Sequence, residues 1–86
     1  MYTQEITVKN EVGLHARPAT YFIQKANKFK CGIWVEKDER RVNAKSLLGV
    51  LSLGIMKGTT VTLIADGSDE KEAVDALAEL IENLDE

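Results

Sequence analysis

The run Gly13-Leu14-His15-Ala16-Arg17-Pro18-Ala19 holds the only histidine of an 86-residue chain, with an arginine and a proline close behind it. Imidazole is the one side chain whose unperturbed pKa leaves it a neutral nucleophile near physiological pH. Pro18 suits the first turn of a helix, where backbone N–H groups lack an intrahelical acceptor, so His15 stands one residue ahead of a helix start. Such a start presents N–H groups fitted to a phosphate, and Arg17 offers a bidentate donor fork. A phosphoryl group in transfer spreads charge over its equatorial oxygens and needs fixed positive groups around them. His15 therefore reads as a phosphoryl acceptor. The N–H groups of Ala16 and Arg17 add donors, and Pro18 has none. On position alone His15 also fits a surface or capping histidine, and Arg17 beside it is what raises the chemical reading to equal standing. No Gly-rich nucleotide loop accompanies the motif, so the phosphate has to come from a partner.

A second candidate is Ser46, which precedes Leu47, Leu48, Val50, Leu51 and Leu53. As the cap of a short helix its hydroxyl contributes about 1 kcal/mol by accepting a bond from an early N–H. The same position tolerates a phosphate, because added negative charge is favourable at a helix N-terminus. Leu47, Leu48 and Leu51 are more leucines than a short helix buries on one side, which leaves some of them as a docking patch.

The bulk properties set the frame. A chain of this size makes one domain, residues 1–86, too small for a deep enclosed catalytic cleft, so function lies on an exposed patch. Cys31 is alone, which excludes an internal disulfide and fits a reducing compartment; no Cys/His cluster offers metal ligands. The N-terminus lacks a signal-peptide pattern and no apolar run approaches the ~20 residues of a membrane span, so a cytoplasmic location is expected. Residues 1–58 carry ten Lys/Arg against five Asp/Glu, and residues 59–86 one lysine against nine acids. The positive, motif-bearing part favours phosphate or acidic protein partners. Its scattered cations, without interleaved aromatics, argue against nucleic acid.

Alternation over residues 2–9 predicts a strand, and Ala19, Phe22, Ile23, Ala26 and Phe29 predict a helix from Ala16 to about Lys28. Residues 33–36 and 41–43 read as a hairpin around the polar turn 37–40. A short helix follows Ser46 and ends at Gly54 or Gly58, and β-branched residues 60–65 form a last strand. Asp69 and Glu72 form a capping box for a final helix with Ala73, Val74, Leu77, Leu80, Ile81 and Leu84 on its buried stripe. The order β-α-β-β-α-β-α implies an α+β, two-layer open-faced sandwich: a four-stranded antiparallel sheet with three helices on one face.

The segments 13–19 and 42–54, in a chain of this length and element order, resemble the HPr family, the histidine-containing phosphocarriers of the bacterial phosphoenolpyruvate-dependent sugar phosphotransferase system. The resemblance implies that His15 takes a phosphoryl group on Nδ1 from phosphorylated enzyme I and passes it to sugar-specific IIA domains, with Arg17 as phosphate clamp. It implies a carrier that is a phosphorylated intermediate without turnover of its own and that needs no cofactor; the sequence offers no obvious extra interface, so a monomer is expected. The second segment is similar to the Gram-positive form, in which HPr kinase/phosphorylase modifies the residue matching Ser46 and the product acts with the catabolite control protein. The docking surface implied comprises Ala16, Thr20, Leu47, Leu48 and Leu51. Val12 stands where many members carry a polar residue near the histidine. A regulatory paralogue without that histidine is a poorer match, because His15 is present. Two other readings follow from the residues: an acyl carrier with its prosthetic group on Ser46, which requires a mainly helical fold, and a regulatory module in which Ser46 alone matters.

Overall fold

The computed structural model describes residues 1–85; Glu86, the last residue of the expected domain, lies outside the described residues. The elements are β1 (Tyr2–Thr7), α1 (Ala16–Ala26), β2 (Gly32–Lys37), β3 (Arg40–Asn43), α2 (Leu47–Ser52), β4 (Thr60–Asp66) and α3 (Glu70–Glu82). Their order is the one the periodicities predict. The strands pair antiparallel in the order β1-β4-β2-β3, so the β-branched run of residues 60–65 becomes an interior strand. Four strands exclude the mainly helical fold that an acyl carrier requires.

One face of the sheet meets the helices. Val61, Leu63 and Ala65 of β4, Ile6 of β1, and Ile33 and Val35 of β2 point there, into a core completed by Phe22, Val50, Val74, Leu77 and Ile81. Removing such area from water is the main favourable term in folding. The opposite face stays open, with one local exception. Trp34 lies directly across from Ile64, which is buried although its side chain is on the outer face. A Cβ on Gly32 would come within 2.6 Å of the Trp34 ring, so this glycine lets the indole lie flat on the strand. The hairpin closes through Asp38 and Glu39, both with positive φ, as a two-residue turn whose twist matches the strands.

The first strand ends at Thr7 rather than residue 9 and the hairpin turn shortens to Asp38 and Glu39, while two further differences have a cause in the contacts. Helix α1 ends at Ala26 rather than Lys28, because its last turn tightens to i→i+3 bonds: the N–H of Lys28 donates to Lys25 O (3.1 Å) and that of Phe29 to Ala26 O (3.3 Å). The capping box at α3 does not form. The Asp69 side chain makes no cap bond and instead accepts from the backbone N–H groups of Lys30 (2.9 Å) and Cys31 (3.0 Å). A short-range motif has lost to orphan donors nearly forty positions earlier.

The Lys30 N–H, with the Cys31 thiol next, holds the Asp69 carboxyl below the usual carboxylate range. A depressed acid contributes stability that is present above its unfolded pKa and lost as pH falls through its folded pKa. Asp69→Asn is therefore expected to lower the urea midpoint at pH 7, and the gap to wild type should shrink as pH drops below about 4. Urea titrations at pH 7 and pH 2.5 check this; a gap independent of pH would remove the charge from the explanation. Burial pushes the Cys31 thiol up to about 11, helped by Asp69, so it stays protonated at neutral pH.

Candidate functional site

His15 is held by a loop with its own long-range anchors. Val8 N–H donates to Thr59 O (2.8 Å) and Gly58 N–H to Val8 O (2.7 Å), which ties the end of the first strand to the turn before β4. The N–H of Gly13 donates to Asn10 O (3.2 Å) and the Asn10 amide returns a bond to Gly13 O (2.9 Å). Leu14, fully buried, donates its N–H to Ile55 O at 3.1 Å. Glu11 and Lys57 add an exposed ion pair at 2.8 Å, which holds the Glu11 carboxyl below its ordinary value and contributes little to stability.

Gly13 is what permits this closure. Its φ of +66° is left-handed, and a Cβ there would fall on the Ile55 carbonyl oxygen and 2.7 Å from Met56 Cα. In the sequence this glycine is only the first residue of the run that holds His15. The close approach depends on residues more than forty positions away.

His15 itself is the N-cap residue of α1, with extended backbone (φ −127°, ψ 162°), a half-buried side chain and no side-chain capping bond. Its imidazole is thus left to chemistry and not spent on the helix. Ala16, the next residue, has φ +53°, a conformation that costs an L-residue about 1–2 kcal/mol. The turn from loop to helix is made here by an alanine in a region that favours glycine. Ala16, Arg17 and Thr20 are exposed on the first turns of α1, and the Thr20 hydroxyl donates to Ala16 O at 3.4 Å. Pro18 and Ala19 face the core.

Ser46 is the N-cap of α2, as its type and place predict, and its Oγ accepts from Gly49 N–H at 3.1 Å. Asn43 supports the approach: its side chain accepts from Lys45 N–H (2.8 Å) and its carbonyl from Ser46 N–H (3.1 Å). At the other end of α2, Lys37 donates to Leu53 O (2.9 Å) and Gly54 O (3.3 Å), and Arg40 to Ser52 O (3.2 Å). Cations of the hairpin thus meet the carbonyl end of the short helix, where the dipole favours them.

The hydrogen bonds also fix how the two candidate residues relate. The loop before α1 bonds to Ile55, just after α2, while Asn27 at the end of α1 donates to Lys45 O (3.4 Å), just before α2. The helices run antiparallel, so His15 and Ser46 lie at opposite ends of the pair. Six residues of α2 rise about 9 Å and eleven of α1 about 16 Å, lengths at or above the Debye length in physiological salt. Between them Leu48 is 80 % and Leu47 42 % exposed, and Leu51 is half-buried. The surplus of leucines predicts this exposure. Val12 and Met56, 44 % and 63 % exposed, extend the apolar surface beside the His15 loop. Met56 carries no mark in the sequence, because its loop meets the His15 loop only in the fold, through the close approach at Gly13 and the bond from Leu14 N–H to Ile55 O.

The comparisons with known proteins agree with this arrangement. A family model described as the PTS HPr component phosphorylation site matches residues 2–83. The HPr-like protein Crh of Halalkalibacterium halodurans is 50% identical over 82 residues, 95% of this chain and 98% of its own. The phosphocarrier protein HPr of Neisseria meningitidis is 47% identical over 81 residues, 94% of this chain and 91% of its own. The crystal structure of HPr-C-His from Thermoanaerobacter tengcongensis superposes with a TM-score of 0.94 at 55% identity, covering 95% of this chain and 92% of that one. A half-buried histidine at the mouth of α1, on an open-faced sandwich matched by these proteins over nearly its whole length, makes the chain a member of the HPr family, the phosphocarriers of the phosphotransferase system.

Proposed function

We propose that the chain works as a phosphoryl carrier in which His15 Nδ1 accepts the group from phosphorylated enzyme I and hands it to sugar-specific IIA domains. The observation that carries this reading is the His15 side chain, free of any capping duty and held at a helix start by a loop locked onto residues 55–59. In acceptance the Nδ1–phosphorus bond forms as the donor's bond to phosphorus breaks; in donation the Nδ1–phosphorus bond breaks as the acceptor atom of the IIA domain bonds to phosphorus. Arg17, two residues on and exposed, supplies a fixed positive charge to the phosphoryl oxygens. Ala16, Thr20, Leu47, Leu48 and Leu51 form the surface on which partners dock, with polar groups around an apolar centre. The chain is then a substrate of successive transfers and not an enzyme. It works as one domain, a monomer, in the reducing cytoplasm that suits its unpaired Cys31.

Ser46 is the regulatory acceptor in this reading, phosphorylated by HPr kinase/phosphorylase and then recognised by the catabolite control protein. Its support is the exposed leucine face that starts at the cap. A phosphate here adds about two negative charges beside the docking surface. At the opposite end of the helix pair from His15, a Debye length or more away, its direct effect on the imidazole is screened, so it acts mainly on the approach of a phosphorylated partner. Seryl-phosphorylated protein is expected to accept phosphate on His15 at least about tenfold more slowly than unmodified protein at low salt, with the gap narrowing as salt rises. Stopped-flow transfer from phosphorylated enzyme I tests this, and equal rates for the two forms would refute it. A purely regulatory role, suggested by the likeness to an HPr-like Crh protein, predicts instead that His15 never carries phosphate.

A further inference from the structure

Gly49 stands in the interior of the six-residue α2, where glycine destabilises a helix relative to alanine. Nothing in the fold requires it. Its φ is not positive, and a Cβ built on it would make ordinary contact, 3.4 Å from Asn43 O, Ser46 Cβ and Ser46 Oγ. Two of those three neighbours belong to Ser46. The glycine is therefore neither a left-handed turn nor a site of backbone clash, in contrast to Gly13, and its one distinctive consequence is the empty space against the Ser46 hydroxyl.

That space has a use if Ser46 is a phosphoryl acceptor, and the inference rests on that reading. The Gly49 N–H already occupies one side of Oγ at 3.1 Å. An incoming phosphoryl group needs another side, and once attached it carries three oxygens around the same atom. A methyl group in van der Waals contact with Oγ stands where those oxygens must go. We propose that Gly49 is a specificity-determining residue for Ser46 phosphorylation: by lacking a side chain it leaves the hydroxyl open to the phosphoryl donor, at the expense of helix stability. In the step itself Ser46 Oγ bonds to the γ-phosphorus of a nucleoside triphosphate held by the kinase. The bond from that phosphorus to the bridging oxygen breaks, and the hydroxyl proton passes to a base on the kinase.

The proposal predicts changes of opposite sign, which separates it from damage to the fold. Gly49→Ala in the full chain is expected to raise the urea midpoint while lowering kcat/KM for Ser46 labelling by HPr kinase/phosphorylase about tenfold. Access without any kinase is read in a Ser46→Cys background, where iodoacetamide should alkylate the introduced thiol several-fold more slowly once Gly49→Ala is added. Cys31 does not compete, being buried with its thiol pushed up to about 11. Equal labelling rates, a lower urea midpoint, or slowed labelling with unchanged alkylation would each overturn the proposal, the last by moving the collision onto the kinase surface. A wild-type chain left unlabelled at Ser46 would overturn the Ser46 reading itself.

Discussion

His15→Ala is expected to remove phosphoryl acceptance from enzyme I altogether, a loss of at least about a thousandfold. No other side chain at the mouth of α1 replaces a neutral nitrogen nucleophile: Arg17 is always protonated and Thr20 is a hydroxyl with its hydrogen bond made to the helix. The fold should not change. His15 makes no capping bond, so its removal costs only the packing of a half-buried side chain, about 1 kcal/mol. Arg17→Ala keeps the nucleophile and loses the charge that stabilises the moving group, so labelling should persist but slow by about 10²-fold. Labelling with phosphoenolpyruvate and enzyme I, beside circular dichroism, checks both variants. An alanine variant that labels like wild type would move the acceptor elsewhere.

Gly13→Ala should be the most destabilising single methyl addition near the site. Two effects add: an L-residue at φ +66° costs about 1–2 kcal/mol, and the new Cβ collides with backbone atoms of Ile55 and Met56 that no rotamer change can move aside. A total of about 3 kcal/mol or more is expected, a large part of the 5–15 kcal/mol that stabilises a typical domain. Gly54 supplies the control. It has φ +60° with nothing within 4 Å of a Cβ, so Gly54→Ala should cost only the conformational part, about 1–2 kcal/mol. Urea midpoints of the two variants isolate the collision. His15 labelling should fall with Gly13→Ala, because the loop that aims the imidazole is displaced. Equal midpoints would show that the loop yields to the methyl group and is not locked as described.

What the sequence makes legible here is what local chemistry decides. Ser46 is a cap because a hydroxyl ahead of an apolar run satisfies an orphan N–H three residues on, and no distant partner competes for it. The exposed leucines of α2 follow from counting apolar residues against the width of one helix face. Residues 60–65 form a strand because β-branched side chains suit a pleated, covered surface, although its interior place in the sheet shows only in the fold. Long-range geometry decides the rest. Asp69 looks like a cap for α3 until the chain brings the Lys30 and Cys31 N–H groups to it, and two such donors outweigh one local bond. The role of Gly13 depends on the carbonyl of Ile55, and the left-handed Ala16 carries no sequence mark because alanine, unlike glycine or asparagine, does not signal a positive φ. The candidate site is thus readable as a list of residues. Its scaffold is a tertiary property.

The carrier reading stands or falls on where phosphate resides after transfer. Wild-type protein incubated with phosphoenolpyruvate and enzyme I, then resolved by ¹⁵N–³¹P correlation NMR and acid treatment, should carry one phosphoryl group on the Nδ1 of His15 that is lost in acid. Phosphate that survives acid, or a His15 imidazole unchanged while enzyme I is fully phosphorylated, would contradict the assignment of this histidine as the acceptor.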